Sequence, residues 1–201
     1  KSRLEALKNK IEAIENCDLK KNASKIVFAD GNIQSSIMII GEGPGQKEDE
    51  LGKPFVGDAG NLLNKMLKAI KIEREKVYIT NVVNYRPPNN RKPEKSEINR
   101  YSEYLKEHIS IIDPQILILM GSTAMEALFG GNKRISQERG QWKEIIIKHR
   151  VLKSKSNGSK TIIEKAHEGS WIMLIPLLIL AFGRLEIRPQ VDQATSRFYK
   201  F

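Results

Sequence analysis

Three apolar runs in this chain each end at a glycine or an asparagine, and helical patterns separate them. The runs are "IMII" before "GEGPG", "VYIT" before "NVVNY" and "ILILM" before "GST". Short apolar runs rich in β-branched residues are typical of buried strands, whereas apolar residues spaced by three and four are typical of helices. Strands that alternate with helices favour a parallel sheet with helices on both faces. We therefore predict an α/β fold, a three-layer α/β/α sandwich around a central, mainly parallel sheet.

The helical spacing is clearest in three segments, and a fourth, "TAMEALFGG", ends on glycine as many helices do. The predicted apolar faces are Leu4, Leu7, Ile11 and Ile14 in residues 2–16, Leu62, Leu63, Met66, Leu67 and Ile70 in residues 61–70, and Ile98, Tyr101, Leu105 and Ile109 in residues 95–112.

Composition limits the classes of function. The chain has 201 residues, 40% hydrophobic and 29% charged, which is typical of a soluble protein with a single domain over residues 1–201. The net charge of +10 favours a polyanionic partner such as nucleic acid, although a lysine-rich proteome produces the same surplus. The single Cys17 excludes an internal disulfide framework and an all-cysteine metal site, and it favours a reducing cytoplasm. The amino terminus lacks a secretory pattern and "WIMLIPLLILAF" is broken by Pro176, so we predict no membrane association.

The loop at residues 41–60 holds six of the fourteen glycines and follows the first apolar run. Ligands of parallel α/β sheets bind beyond the carboxyl ends of the strands, where this loop, Asn81 and "GST" all fall. Three interpretations of "GEGPG" stay open: a phosphate cradle, a structural turn, or backbone N–H groups that meet a carbonyl with Glu42 beside them. The sequence is neither G-x-G-x-x-G nor a Walker motif, which weighs against phosphate.

Three blocks of the chain resemble the motifs of the family 4 uracil-DNA glycosylases. They are "GEGPGQKEDELGKPFVGDAGNLLNKML", "VYITNVVNYRPPNNRKP" and "DPQILILMGSTA", and together they lie within about residues 25–145. The family hydrolyses the N-glycosidic bond of uracil in DNA, the first step of base excision repair, on a nucleotide flipped out of the duplex. The resemblance implies a monomeric DNA repair hydrolase whose partner is uracil-containing DNA.

The resemblance also implies residue roles. Gly41, Glu42 and Gly43 would line the uracil site, and Glu42 would orient the attacking water or stabilise an oxocarbenium-like sugar. Phe55 would stack on the base. Asn81 would read the base edge, because an amide offers the donor and the acceptor that uracil needs and suits cytosine badly. We expect Glu42 and Asn81 to be the catalytic pair.

Further residues of the same motifs have weaker assignments. Arg86 and Arg91 in "RPPNNR" would lie near the DNA backbone. Glu48 and Asp49 form an acidic pair, for which supporting the loop and taking part in the chemistry are equal alternatives.

The chain departs from the family at its metal site. The family holds a [4Fe–4S] cluster through four cysteines. The corresponding positions here are Ile14, Cys17, Tyr85 and Tyr101, so we predict no cofactor and no metal. We expect the two tyrosines to fill the space by packing and to anchor the "RPPNNR" loop to the helix that begins near Ser96.

The second departure is the tail, about residues 150–201. The family expects a His-Pro loop that contacts the departing uracil and wedges into the duplex, and this sequence contains no His-Pro. Two explanations stay open: a tail read in an altered frame, or divergence in which "WIMLIPLLIL" supplies a strand. The alternative to an active enzyme is therefore a catalytically impaired uracil- or DNA-binding protein of the same fold.

Overall fold

The computed structural model describes residues 2–131, residue 137 and, as backbone, residues 142–154 and 160–175. The helices are α1 Ser2–Glu12, α2 Asp18–Asn22, α3 Gln46–Leu51, α4 Asp58–Ala69, α5 Lys95–Ile112 and α6 Ser122–Phe129, with 3₁₀ turns at Arg74–Lys76 and Pro88–Asn90. The strands are β1 Asp30–Gly31, β2 Ile37–Gly41, β3 Tyr78–Asn81, β4 Ile116–Met120, β5 Trp142–Ser154 and β6 Lys160–Ile175.

The strands form a six-stranded sheet in the order β1-β3-β2-β4-β6-β5. Neighbours among β3, β2, β4 and β6 are parallel, and the outer pairs β1–β3 and β5–β6 are antiparallel. Ile39 in β2 lies opposite Ile79 on one side and Ile118 on the other. The predicted mainly parallel sheet is thus confirmed, and the parallel register brings the carboxyl ends of β2, β3 and β4 to one edge.

Alternate residues of the central strands face opposite sides of the sheet, because side chains in a strand alternate with a period of two. Met38 and Ile40 pack with α1, α2, α5 and α6, whereas Ile39 packs with Phe55 and α4. Each fully buried side chain of this kind contributes about 1.5–3 kcal/mol of transfer free energy. Helices therefore cover both faces, and the predicted three-layer architecture is confirmed.

The predicted helix faces hold in part, since α1 ends at Glu12 and the buried Ile14 lies beyond it. Leu4, Leu7 and Ile11 of α1 are buried, as are Ile98, Tyr101, Leu105 and Ile109 of α5. In α4, however, Leu63 and Leu67 are buried while Met66 is 38% exposed, so Met66 is not part of the packed face. In the described part of the chain, no helix is both long and apolar enough to cross a bilayer.

The start of the apolar segment "WIMLIPLLIL" is a strand. Residues 171–175 end β6 and pair in parallel with β4, with Trp171 opposite Ile116 and Ile175 opposite Met120. Residues 176–201 lie outside the described residues. The choice between an altered reading frame and divergence concerns mostly these residues, so it stays open.

Candidate active site

The carboxyl ends of three adjacent parallel strands bound the candidate site. Gly41, the last residue of β2, lies directly opposite Asn81, the last residue of β3. Met120 ends the third strand, β4, and leads through Gly121 into α6. The three segments that the sequence placed beyond the strand ends therefore lie together, as predicted.

Gly41 has no room for a side chain. A Cβ atom added there would lie 2.5 Å from Oδ1 of Asn81 and 2.5 Å from Cζ of Phe55, distances that real Cβ atoms essentially never show. The backbone of Gly41, the edge of the Phe55 ring and the Asn81 amide thus meet at one place. This is a close approach that only glycine permits.

The amide of Asn81 is buried and polar. Its residue is 3% exposed, and within the part of the chain that the structure describes, its side chain forms no hydrogen bond. Buried side-chain polar groups in folded proteins almost always have a partner, because leaving one unpaired costs about 1–3 kcal/mol. A buried amide beside an aromatic ring, with no partner among the described residues, is suited to bind a flat ligand that has both a donor and an acceptor.

Glu42 directly follows Gly41 in the chain and borders an open cleft whose lining does not include Gly41, Phe55 or Asn81. The fully buried hydroxyl of Thr123, in the first turn of α6, donates a hydrogen bond to Oε2 of Glu42. The cleft has a volume of ≈ 130 Å³ and is lined by Glu42, Gly43, Pro44, Gly45, Pro87, Asn90, Arg91 and Pro93. One carboxylate oxygen is therefore fixed, and the group as a whole borders the cleft.

Thr123 is a site residue that the sequence analysis missed. It lies 81 residues from Glu42 in the chain, and the contact exists because β2 and β4 are neighbours in the sheet. The available signal was its position in "GST", directly after an apolar strand.

Glu48 and Asp49 are occupied by backbone groups. Glu48 accepts hydrogen bonds from the N–H groups of Gly45, Val56 and Gly57 at 3.1, 2.8 and 2.7 Å. Asp49 accepts one from the N–H of Ser24 at 2.8 Å. Of the two alternatives for this acidic pair, the geometry favours supporting the loop.

Phe55 has an unusual backbone conformation. Its φ of +53° lies in the left-handed region, which a non-glycine residue enters at a cost of about 1–3 kcal/mol. Such strain persists where the surrounding structure fixes the residue. Here it turns the ring toward Gly41 and Asn81.

The two arginines lie beside the cleft, each with a protein partner. Arg91 donates to both carboxylate oxygens of Glu97, at 2.8 and 2.7 Å, and hydrogen bonding to Arg91 lowers the pKa of Glu97. Nε of Arg86 donates to Oδ1 of Asn90 at 2.7 Å. Of the two, Arg91 lines the cleft. Their contact with a DNA backbone stays a prediction.

The four positions that the resemblance matches to the family's cluster ligands all lie in the core. Ile14, Cys17, Tyr85 and Tyr101 all belong to the buried cluster on the α1–α5 face of the sheet. Sγ of Cys17 lies 3.5 Å from Oη of Tyr101. Burial raises the pKa of Tyr85 to about 12 and also raises that of Tyr101, so both phenols are neutral at physiological pH.

These side chains do not fit an iron–sulfur cluster. A [4Fe–4S] cluster is held by four thiolates, and the four positions offer one thiol, an isoleucine and two neutral phenols. No group of three or more His, Cys, Asp or Glu side chains that could hold a metal ion occurs among the described residues.

Comparisons with known proteins identify the family of this chain. The family model described as "Uracil DNA glycosylase superfamily" matches residues 28–176. A type-4 uracil-DNA glycosylase of Thermotoga maritima is 40% identical over 138 residues, 68% of this chain and 72% of the relative. The type-4 enzymes of Sulfurisphaera tokodaii and Pyrobaculum aerophilum are 42% and 41% identical, covering 72% and 66% of this chain and 71% and 69% of the relatives. This chain belongs to the uracil DNA glycosylase superfamily.

Proposed function

We propose that this protein is a uracil-DNA glycosylase that hydrolyses the bond between uracil and deoxyribose in DNA and so begins base excision repair. Family membership and the type-4 enzymes among its relatives support this function. The observation that carries it in this chain is the buried amide of Asn81, unpaired among the described residues and placed against Gly41 and the ring of Phe55.

Recognition would rest on the shape and polarity of that place. A base flipped out of the duplex would lie on Phe55, and Asn81 would donate to one uracil carbonyl and accept from the uracil N–H. Cytosine presents an amino group where uracil has a carbonyl. The NH2 group of Asn81 would then meet another hydrogen-bond donor instead of an acceptor. The backbone N–H groups of the segment 41–43 would meet the uracil oxygen that gains negative charge, and each preorganised donor of this kind contributes about 3–4 kcal/mol.

Glu42 would act on the deoxyribose side of the N-glycosidic bond. With one oxygen held by Thr123, the carboxylate can orient a water molecule in the cleft toward C1′. The water oxygen bonds to C1′ as the C1′–N1 bond breaks, the bonding electron pair leaves with uracil, and the water proton passes to Glu42. A carboxylate in this place also stabilises the positive charge that develops on the sugar.

We further propose that the enzyme works as a single-domain monomer in the cytoplasm and without the family's cluster. The packing of Tyr85 and Tyr101 supports the last point, because these side chains occupy the core where two of the thiolates would be needed. The absence of a His-Pro sequence means that the oxygen of the departing uracil would rely on the backbone donors of the loop. Nothing in the comparisons favours the catalytically impaired alternative.

Single-turnover release of uracil from a labelled oligonucleotide tests this function. We expect release by the parent protein, and a fall of about 100-fold or more in Asn81→Ala and in Glu42→Gln. Glu50→Gln removes an exposed carboxylate of α3; it is the matched control and should release uracil like the parent. If the parent binds uracil-containing DNA tightly but releases no uracil, the proposed glycosylase activity is refuted and the catalytically impaired binding protein is favoured.

A further inference from the structure

Arg74 lies outside the three motif blocks and contacts the backbone of the segment around Phe55. Arg74, in the 3₁₀ turn before β3, donates from Nη1 to the carbonyl oxygen of Phe55 at 3.1 Å and from Nη2 to that of Pro54 at 2.7 Å. Nη1 also donates to Oδ1 of Asn64 in α4, at 3.1 Å. The guanidinium group therefore links the strained residue to two neighbouring elements.

The guanidinium is itself fixed by an ion pair. Nε and Nη2 of Arg74 lie 3.2 and 3.0 Å from Oδ2 of Asp30, and the Arg74 side chain is 16% exposed. Asp30 lies in β1, the short strand that pairs with β3 at the edge of the sheet. Low exposure makes such a pair stronger than an ordinary surface ion pair. Lysine has no planar fork of donors, so it would not make these contacts together.

The other side of Phe55 is held as well. Glu48 accepts the N–H groups of Val56 and Gly57, the two residues that follow Phe55. In α4, a Cβ atom at Gly60 would lie 1.9 Å from the carbonyl oxygen of Phe55, so the helix backbone packs directly against it. The peptide groups before and after Phe55 are thus both held by neighbouring groups while its φ is left-handed.

We propose that Arg74, anchored by Asp30, is a positioning residue for uracil excision. It touches no substrate and acts through Phe55, keeping the ring against the place where Gly41 and Asn81 meet. This inference rests on the proposed function, because it takes Phe55 to be the residue on which uracil stacks. It also assigns a role to β1, the two-residue edge strand that carries Asp30.

A double-mutant cycle separates this role from a general loss of stability. We expect Arg74→Met to lower kcat/KM for uracil release at least tenfold in the parent, and less than twofold when Phe55→Leu is already present. Arg74→Lys should behave like Arg74→Met. The matched control is Arg100→Met, because Arg100 likewise donates to two backbone carbonyls, those of Glu15 and Asn16, in a segment that makes no part of the site.

Amide hydrogen exchange supplies a readout that does not depend on turnover. Arg74→Met should speed exchange at Val56 and Gly57 relative to the parent, and Arg100→Met should leave both unchanged. All variants are compared at a temperature at which circular dichroism shows them folded.

The outcomes discriminate between the two proposals. Equal losses of kcat/KM from Arg74→Met in the parent and in the Phe55→Leu background, with an active parent, would refute the role of Arg74 and leave the proposed function standing. Unchanged exchange at Val56 and Gly57 would also refute it. A parent that releases no uracil would refute the proposed function and, with it, any role of Arg74 in the reaction.

Discussion

His108 lies on α5 in the core, with 2% of its surface exposed. Its Nε2 is 2.8 Å from Oη of Tyr78, and its ring stacks on Phe28 with centroids 4.6 Å apart. Burial lowers the pKa of His108 to about 3 from 6.5. The neutral ring is therefore built into the fold, and acid should destabilise the protein through this residue.

The sign and size follow from linkage between protonation and unfolding. Below pH 6.5 the unfolded chain binds a proton at this histidine, whereas the folded protein stays neutral until the pH approaches 3. Stability is thus full above pH 6.5 and falls as the pH drops, by up to about 1.4 kcal/mol per pH unit. Between pH 7 and pH 5 the loss attributable to this one group is about 2 kcal/mol.

Urea unfolding of the parent and of His108→Gln at the two pH values measures this term. Glutamine does not titrate, and all other ionisable groups are shared, so their contributions cancel in the difference between the proteins. The difference in unfolding free energy, parent minus variant, should be about 2 kcal/mol smaller at pH 5 than at pH 7. An equal gap at both pH values would refute the conclusion that His108 is held neutral.

Substitutions at three other positions, two in the site and one in the core, have defined outcomes. Gly41→Ala should lower single-turnover uracil release at least 100-fold, because the added methyl group displaces either Asn81 or Phe55; release within threefold of the parent would contradict the close approach. Thr123→Val should slow release about tenfold with little change in DNA affinity, and Thr123→Ser should restore it because the hydroxyl returns; a serine variant as slow as the valine variant would point to packing instead. Tyr101→Ala should lower the free energy of unfolding, measured in urea, by about 3–5 kcal/mol, because the side chain is fully buried. Metal analysis of the purified parent should find no stoichiometric iron. Iron at about four atoms per chain would overturn the cluster-free proposal.

The position of the site in the fold could be predicted from the sequence more readily than the residues that form it. The strand patterns and the parallel topology rule are enough to put Gly41, Asn81 and the "GST" segment at one edge of the sheet. Phe55 was different, because a phenylalanine between proline and valine is usually a core residue and only the resemblance gave it a role. Its left-handed φ and the exposure of Met66 depend on how α4 packs, which no local pattern encodes.

The supporting residues could not be found from spacing. Thr123 meets Glu42 across 81 residues, and Arg74 meets Asp30 across 44. Both contacts depend on which strands become neighbours in the sheet. A threonine after a strand and an arginine in a charged turn are common in any α/β protein. The resemblance did not supply them either, since neither belongs to the roles that the motifs carry.

The packed core around Cys17, Tyr85 and Tyr101 has a consequence for the conditions under which the protein can persist. The segment after α1, the start of the "RPPNNR" loop and the middle of α5 are joined there by hydrocarbon, phenol and a single thiol. On the cluster-free proposal, such a junction assembles as the chain folds and needs no iron to form. The connection between loop and helix would therefore form equally well in cells that are short of iron.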